Sequence, residues 1–127
     1  MIVDEPAVLA EFTEAFERYE RALMVNDVET LDSLFRRSSS TVRYGVGENL
    51  YGFEEIQRFR AERPGGSPQR RITRRSLSCY GQVFATAHVE FLREGSSRIG
   101  RQTQAWLKDE GGWRVVSAHV SIMADSH

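Results

Sequence analysis

An arginine inside a short strand pattern is the first candidate for chemistry in this sequence. Arg43 lies within residues 41–44, a β-type run in which an apolar residue is expected at this position. A buried guanidinium without compensation is costly, so this side chain needs a carboxylate, water or an anionic ligand. Its planar fork of donors matches a carboxylate in two places, which predicts anion binding. An internal ion pair with Glu48 or Glu90 is the structural alternative.

Polar residues on two later strand patterns are candidates for ligand binding. Gln102 and Gln104 share one strand face, and two neutral amides suit the carbonyl and amine groups of a urea-like ligand. His119 and Ser121 share a face with the apolar Trp113, which predicts that they point into the same internal space. Solvent-facing glutamines and a core histidine are the structural alternatives.

Three further residues are predicted to lie near the mouth of the site. Asn49 and Tyr51 belong to a glycine-containing turn, and Arg60 follows Phe59 in a helical pattern. All three are binding candidates, although an asparagine in a turn commonly bonds its own backbone. The arginine-rich stretch 58–75 lacks the interleaved aromatic residues of a nucleic-acid surface, so it is predicted to be solvated or to face another subunit.

Length and charge limit the class of protein. The chain has 127 residues, 40% hydrophobic and 28% charged, which predicts a single domain over residues 1–127 with a real core. A net charge of -1 lacks the basic excess that nucleic acids or membrane surfaces require. The one cysteine, Cys79, excludes an intramolecular disulfide, and no signal peptide or membrane span is visible. These features predict a cytoplasmic protein.

Helical patterns occupy the first half of the chain. Residues 4–26 predict a long amphipathic helix whose apolar face includes Tyr19. Asn26 and Glu29 have the spacing of a capping box before a second, short helix. A third short helix is predicted from Phe53 to near Arg63.

The second half of the chain has the pattern of strands. Four runs near residues 69–80, 82–93, 97–108 and 113–123 are separated by short glycine-containing turns, which favour antiparallel hairpins. Helices followed by such strands predict an α+β fold, with the N-terminal helices packed on a curved antiparallel sheet to leave a cone with one open end.

Neither a metal nor a cofactor is predicted. His88 and Glu90 share a strand face, but no third metal ligand has a recognisable spacing. Cys79 is predicted to be a small buried hydrophobe rather than a nucleophile. No phosphate-binding glycine loop precedes a helix.

Several short motifs, together with the order of elements, resemble the nuclear transport factor 2-like (ketosteroid isomerase-like, SnoaL-like) superfamily. The motifs are residues 16–19, 42–45, 48–52, 59–60, 98–102 and 118–121. They look most like its AtzH-like branch, which includes the oxalurate-catabolism protein HpxZ and a decarboxylating amidohydrolase that acts on a dicarboxylated urea. The resemblance implies a cystatin-like cone over nearly the whole chain.

The same resemblance implies a catalytic pair, Tyr19 on the first helix and Arg43 on the first strand. Arg43 would anchor a carboxylate, and its charge would favour the ionised form of a neighbouring phenol. Loss of carbon dioxide leaves negative charge on nitrogen, which Tyr19 could protonate. The structural alternative for Tyr19 is a core tyrosine whose hydroxyl bonds the backbone.

Two functions of different classes follow. The first is a small cofactor-free, decarboxylating amidohydrolase-like enzyme acting on a carboxylated ureide-type metabolite. The second is a noncatalytic ligand-binding or accessory subunit that works beside a pathway amidase. Isomerase chemistry needs a carboxylate base that points into the cone. The sequence offers none, unless Glu90 faces inward rather than outward on its strand.

A homodimer or homotetramer is also predicted, because one face of the sheet lacks a covering helix.

Overall fold

The computed structural model describes residues 1–124, which form three helices and one six-stranded sheet. The elements in chain order are α1 (Pro6–Met24), α2 (Val28–Ser33), β1 (Val42–Tyr44), β2 (Asn49–Tyr51), α3 (Phe53–Glu62), β3 (Arg70–Tyr80), β4 (Phe84–Arg93), β5 (Ile99–Asp109) and β6 (Gly112–Ile122). This arrangement confirms the predicted α+β class, with N-terminal helices packed on a curved sheet.

The first helix supplies one wall of the core. Its buried residues recur at spacings of three and four, as predicted, and they are Phe12, Phe16, Tyr19, Ala22 and Leu23. The ring of Phe12 lies 5.4 Å from Trp106 and 5.2 Å from Trp113, centroid to centroid. Aromatic packing between α1 and the inner face of the sheet therefore fixes the helix across the strands.

The strands follow the order β2-β1-β6-β5-β4-β3. β3 to β6 form the predicted antiparallel hairpins. Two features at the other edge were not predicted. β1 pairs in parallel with β6, and β1 pairs with β2, a strand that lies where only a turn was expected. The three residues of β2 carry too little periodicity to be distinguished from a turn in the sequence.

The start of α2 also differs from the prediction. Asp27, not Asn26, caps this helix, and its side chain accepts a hydrogen bond from the backbone N–H of Thr30 at 3.1 Å. Asn26 has φ of 55°, a left-handed conformation that ends α1 rather than beginning α2. The predicted capping box was therefore wrong by one residue.

Cys79 is fully buried in β3, as predicted, and burial raises the pKa of its thiol. No helix within residues 1–124 combines the length and the apolar character needed to cross a membrane.

Candidate functional site

A cavity of about 200 Å³ lies between α1, the β1–β2 turn, α3 and the inner face of the sheet. Its lining residues are Tyr19, Leu23, Arg43, Val46, Glu48, Phe59, Arg63, Ser67, Pro68, Arg70, Arg93, Gln102 and Val120. A volume of this size suits a small metabolite. A larger open groove of about 710 Å³ runs along the outside of α1, and none of the predicted site residues lines it.

Tyr19 and Gln102 form the floor of the cavity. The amide Nε2 of Gln102 donates a hydrogen bond to the phenol oxygen of Tyr19 at 3.2 Å. Within residues 1–124, the Tyr19 hydroxyl donates to no protein acceptor, and the Oε1 of Gln102 is buried without a donor. The floor therefore contains one hydroxyl donor and one carbonyl acceptor that have no protein partner among these residues.

Arg43 lines the same cavity from β1. Its Nη1 donates to Oε1 of Glu48 at 2.8 Å, and its guanidinium lies 5.7 Å from the centroid of the Phe59 ring. The structure thus brings Tyr19 and Arg43 together, while the catalytic role of the pair stays a prediction. Of the two carboxylates considered as partners, Glu48 pairs with Arg43. Glu90 lies opposite Arg74 and Arg101 on the neighbouring strands.

Three more guanidinium groups reach the cavity. Arg70 is held by Glu20, which accepts from Nε at 3.0 Å and from Nη2 at 2.7 Å. Arg63 and Arg93 have no carboxylate partner within residues 1–124. They lie over the rings of Phe59 and Phe91, at 5.5 Å and 5.9 Å. The lining therefore carries an excess of positive charge.

The pKa values of Arg63 and Arg93 are lowered, in part by the neighbouring positive charges. Burial, followed by the charges of Arg43 and Arg60, lowers the pKa of Arg63. Burial, followed by the charge of Arg70, lowers the pKa of Arg93. Like charges in a partly desolvated cavity disfavour one another, and a bound anion would relieve that repulsion.

Arg60 lies behind this cavity rather than on its surface. It is 6% exposed, forms an ion pair with Asp32, and packs 4.8 Å from the centroid of Phe35. Burial lowers the pKa of Arg60, while the hydrogen bond to Asp32 and the charge of that carboxylate oppose the shift. The prediction that Arg60 contacts a ligand was therefore wrong, because α3 directs this side chain into the core.

Gln104 occupies the predicted inner face but does not line the cavity. Its Oε1 accepts a hydrogen bond from the indole Nε1 of Trp106 at 3.0 Å. The alternation of Gln102, Gln104 and Trp106 toward the interior is confirmed, and all three are buried. Of the two glutamines, Gln102 is the one that a ligand in the cavity could contact.

His119 and Ser121 lie on the opposite face of the sheet, so their predicted placement was wrong. The β5–β6 register shifts between Ala105 and Trp106, and Val116 is the extra residue opposite them. A bulge of one residue reverses the facing of every later side chain in the strand. Trp113 and Val115 are therefore buried, whereas His119 is exposed.

Asn49 and Tyr51 are exposed and do not line the cavity either. Tyr51 is 55% exposed, and its hydroxyl lies 3.1 Å from that of Tyr44. The ring of Tyr44 also contacts His119, with centroids 5.4 Å apart. The unpredicted strand β2 explains this placement, because its outward positions carry Asn49 and Tyr51 away from the cavity.

Several residues of the site were missed by the sequence reasoning. Glu48 is an inward carboxylate where none was expected, and Arg63 and Arg70 line the cavity where a solvated arginine surface was predicted. One signal was available, since the β3–β4 hairpin places Arg70 directly opposite Arg93. Like charges directly opposite each other across strands are destabilising, and Glu20 neutralises Arg70 but not Arg93, so an anion is still needed near this pair.

Comparison with known proteins agrees with this fold. The fold is that of the cystatin-like, nuclear transport factor 2-like class, in which helices cover a curved sheet around a cavity. The chain belongs to the AtzH-like family, whose sequence profile matches residues 1–126. The narrower resemblance to HpxZ stays a prediction.

Solved structures from three bacteria are similar to this chain. A protein of unknown function from the DUF3225 family of Pectobacterium atrosepticum is 52% identical, with 96% of this chain and 95% of that chain covered and a TM-score of 0.93. A cystatin-like fold protein of Burkholderia xenovorans is 37% identical, with 99% of each chain covered and a TM-score of 0.93.

A nuclear transport factor 2-like protein of Salmonella enterica is 24% identical and shares the fold, with 95% and 94% coverage and a TM-score of 0.76. No curated protein sequence gives a significant match to this chain.

Proposed function

We propose that the protein is a small enzyme that removes a carboxylate from the nitrogen of a ureide-type metabolite. The observation that carries this proposal is the convergence of Tyr19, Arg43 and Gln102 on one cavity of about 200 Å³. Membership of the AtzH-like family supports it, because the resemblance implies a decarboxylating amidohydrolase with Tyr19 and Arg43 as the catalytic pair.

The proposed reaction uses Arg43 to bind and Tyr19 to move a proton. The guanidinium of Arg43 holds the carboxylate of an N-carboxylated ligand against the floor of the cavity. The carbon–nitrogen bond breaks, carbon dioxide leaves, and the electron pair stays on nitrogen. Tyr19 gives its hydroxyl proton to that nitrogen, and water then returns a proton to the phenolate. The resulting hydroxide combines with carbon dioxide to give bicarbonate, so the net change is hydrolysis.

The polar floor supports a ureide-type substrate in particular. The Oε1 of Gln102 is buried without a donor within residues 1–124, so it can accept a hydrogen bond from a ligand N–H. The excess of guanidinium groups favours an anion over a neutral molecule. A small carboxylated nitrogen compound combines both features.

The same lining favours a second candidate, a noncatalytic ligand-binding or accessory subunit that works beside a pathway amidase. Arg43, Arg63 and Arg93 account for anion binding without any proton transfer. The two candidates differ in their requirement for the Tyr19 hydroxyl, because only turnover needs it.

Release of carbon dioxide from N-carboxylated ureas tests the proposal, and oxalurate, whose carboxylate is bonded to carbon, should bind without losing carbon dioxide. Turnover by the native protein should be lost in Tyr19→Phe and in Arg43→Gln, with folding checked by circular dichroism. Tyr80→Phe is the matched control, since it removes a hydroxyl from a half-exposed tyrosine that does not line the cavity. Saturable binding without turnover on any substrate would favour the accessory subunit.

A further inference from the structure

Glu48 places a protein carboxylate on Arg43 inside the cavity. Its Oε1 accepts from Nη1 of Arg43 at 2.8 Å, and its Oε2 accepts from the backbone N–H of Gly47 at 3.3 Å. Both Glu48 and Arg43 line the cavity. The position that the proposed function gives to a ligand carboxylate is therefore held by a side chain of the protein itself.

A ligand carboxylate could bind Arg43 more strongly than Glu48 does. Within residues 1–124, Arg43 makes this one side-chain hydrogen bond, from a single nitrogen. A guanidinium can hold a carboxylate through two parallel hydrogen bonds, which is the stronger arrangement. The side chains are 15% and 25% exposed, so water reaches the ion pair and weakens it.

The β1–β2 turn is built so that Glu48 folds back over Gly45. The backbone N–H of Gly45 donates to the carbonyl of Glu48 at 2.8 Å. A Cβ atom at position 45 would lie 1.7 Å from Oε1 of Glu48, which no real contact allows. The backbone of Gly45 is outside the left-handed region, so alanine fits the backbone and would displace only the Glu48 carboxylate.

We infer that Glu48 is an internal competitor that occupies Arg43 in the free protein and is displaced by the carboxylate of the ligand. The inference rests on the proposed function only for the assignment of Arg43 as the carboxylate site. Weakly bound anions do not displace Glu48, whereas an anion that engages Arg43 at two points and also meets Arg63 or Arg93 does. The apparent affinity is reduced by the fraction of molecules in which Glu48 holds Arg43.

A purely structural ion pair predicts a different pattern of responses to mutation. Glu48→Gln removes a negative charge, which would favour an anion at Arg43 even if Glu48 served only to neutralise that guanidinium. Gly45→Ala keeps the charge of Glu48 nearby and displaces its carboxylate from Arg43. A structural pair therefore predicts unchanged or weaker ligand binding in Gly45→Ala, whereas a competitor predicts tighter binding, because more molecules are ready to bind.

Calorimetric titration with oxalurate and with acetate tests the inference. We expect Glu48→Gln and Gly45→Ala each to tighten binding by about threefold to tenfold. The double variant should bind no more tightly than the better single variant, because both changes remove the same competitor. Each gain should disappear when Arg43→Gln is added.

Glu17→Gln is the matched control. It removes a negative charge from another ion-paired glutamate, which pairs with Arg75 at 3.3 Å and does not line this cavity. Unchanged or weaker binding in folded Gly45→Ala, whatever the result for Glu48→Gln, or no Arg43-dependent binding in either variant, would overturn the inference. The expected affinity pattern without turnover on any substrate would instead contradict the proposed enzyme and leave the inference standing.

Discussion

Asp32 and Arg60 form a buried ion pair directly behind the cavity that Tyr19 and Arg43 line. Asp32 also accepts a hydrogen bond from Nε2 of Gln57 at 3.4 Å. The pair joins α2 to α3. A buried guanidinium near the ligand cavity is thus tied to the core rather than offered to the ligand.

Asp32→Asn should destabilise the protein strongly. The substitution keeps the shape of the side chain but leaves the Arg60 guanidinium buried without a counterion, which costs about 3–5 kcal/mol. Urea denaturation followed by circular dichroism measures the loss. The matched control is Glu17→Gln at the exposed ion pair with Arg75, where a loss of less than about 1 kcal/mol is expected. Equal losses at the two sites would contradict the structural role of Asp32.

Gln102→Met and Gln104→Met should separate function from stability. Gln104→Met leaves the buried indole N–H of Trp106 without its acceptor and also removes a buried Nε2 that has no partner within residues 1–124, so the net cost should be about 1 kcal/mol of stability. Gln102→Met removes the hydrogen bond to Tyr19 together with an unpaired acceptor, so stability should change little while turnover falls about tenfold. Denaturation and kinetics on both variants provide the test, and the reverse pattern would contradict the assignment of the cavity floor.

The long helices and strands could be predicted from their regular sequence patterns. The face of the sheet on which a side chain lies could not be predicted after a bulge or in a turn. The helix containing Tyr19 and the strand containing Gln102 were predicted because each has many periods of alternating burial. His119 was misplaced because the bulge at Val116 leaves no mark in an alternating pattern. Glu48 was missed as a cavity residue because its position depends on a turn and on β2, a strand of three residues.

The stability of the folded protein should depend on pH through the carboxyl group of Glu11. A hydrogen bond from Lys108, supported by one from Nε1 of Trp113, lowers the pKa of Glu11 from 4.5. Because the pKa is lower in the folded state, the stabilisation is present above about pH 4.5 and is lost as pH falls through the folded value.

Glu11→Gln should therefore cost up to about 1 kcal/mol at neutral pH, as expected for an exposed pair, and almost nothing near pH 3. Urea denaturation at both pH values provides the measurement. Glu14→Gln, at an exposed glutamate of the same helix, serves as the control. A cost at Glu11 that grows in acid would contradict the sign of the shift.

Self-association through the outer face of the sheet is proposed from the uncovered position of that face. Thr103 and His119 are direct partners on β5 and β6, and both are exposed there. Light scattering should give a mass of at least twice 14.5 kDa for the native protein. Thr103→Arg should reduce that mass to one chain, because two copies would bring like charges together. Ser96→Arg, in an exposed turn, should not, and a monomeric native protein would contradict the proposal.

Arg63→Met should stabilise the free protein while weakening anion binding. The Nε of Arg63 is buried without a partner within residues 1–124, and the charges of Arg43 and Arg60 add to the burial that lowers its pKa. Removing this charge should relieve about 1 kcal/mol of repulsion. The same change removes a donor from the cavity, so oxalurate binding should weaken about tenfold.

Arg58→Met is the matched control for that trade-off, because Arg58 is an exposed arginine on α3, the helix that Arg63 follows, and does not line the cavity. Urea denaturation should give the gain in stability at Arg63 alone, and calorimetric titration should give the loss of affinity at Arg63 alone. Sites that are selected for binding commonly retain such unfavourable charges, because the ligand compensates them. A variant that is both less stable and unchanged in affinity would assign Arg63 to the core packing around Phe59 instead.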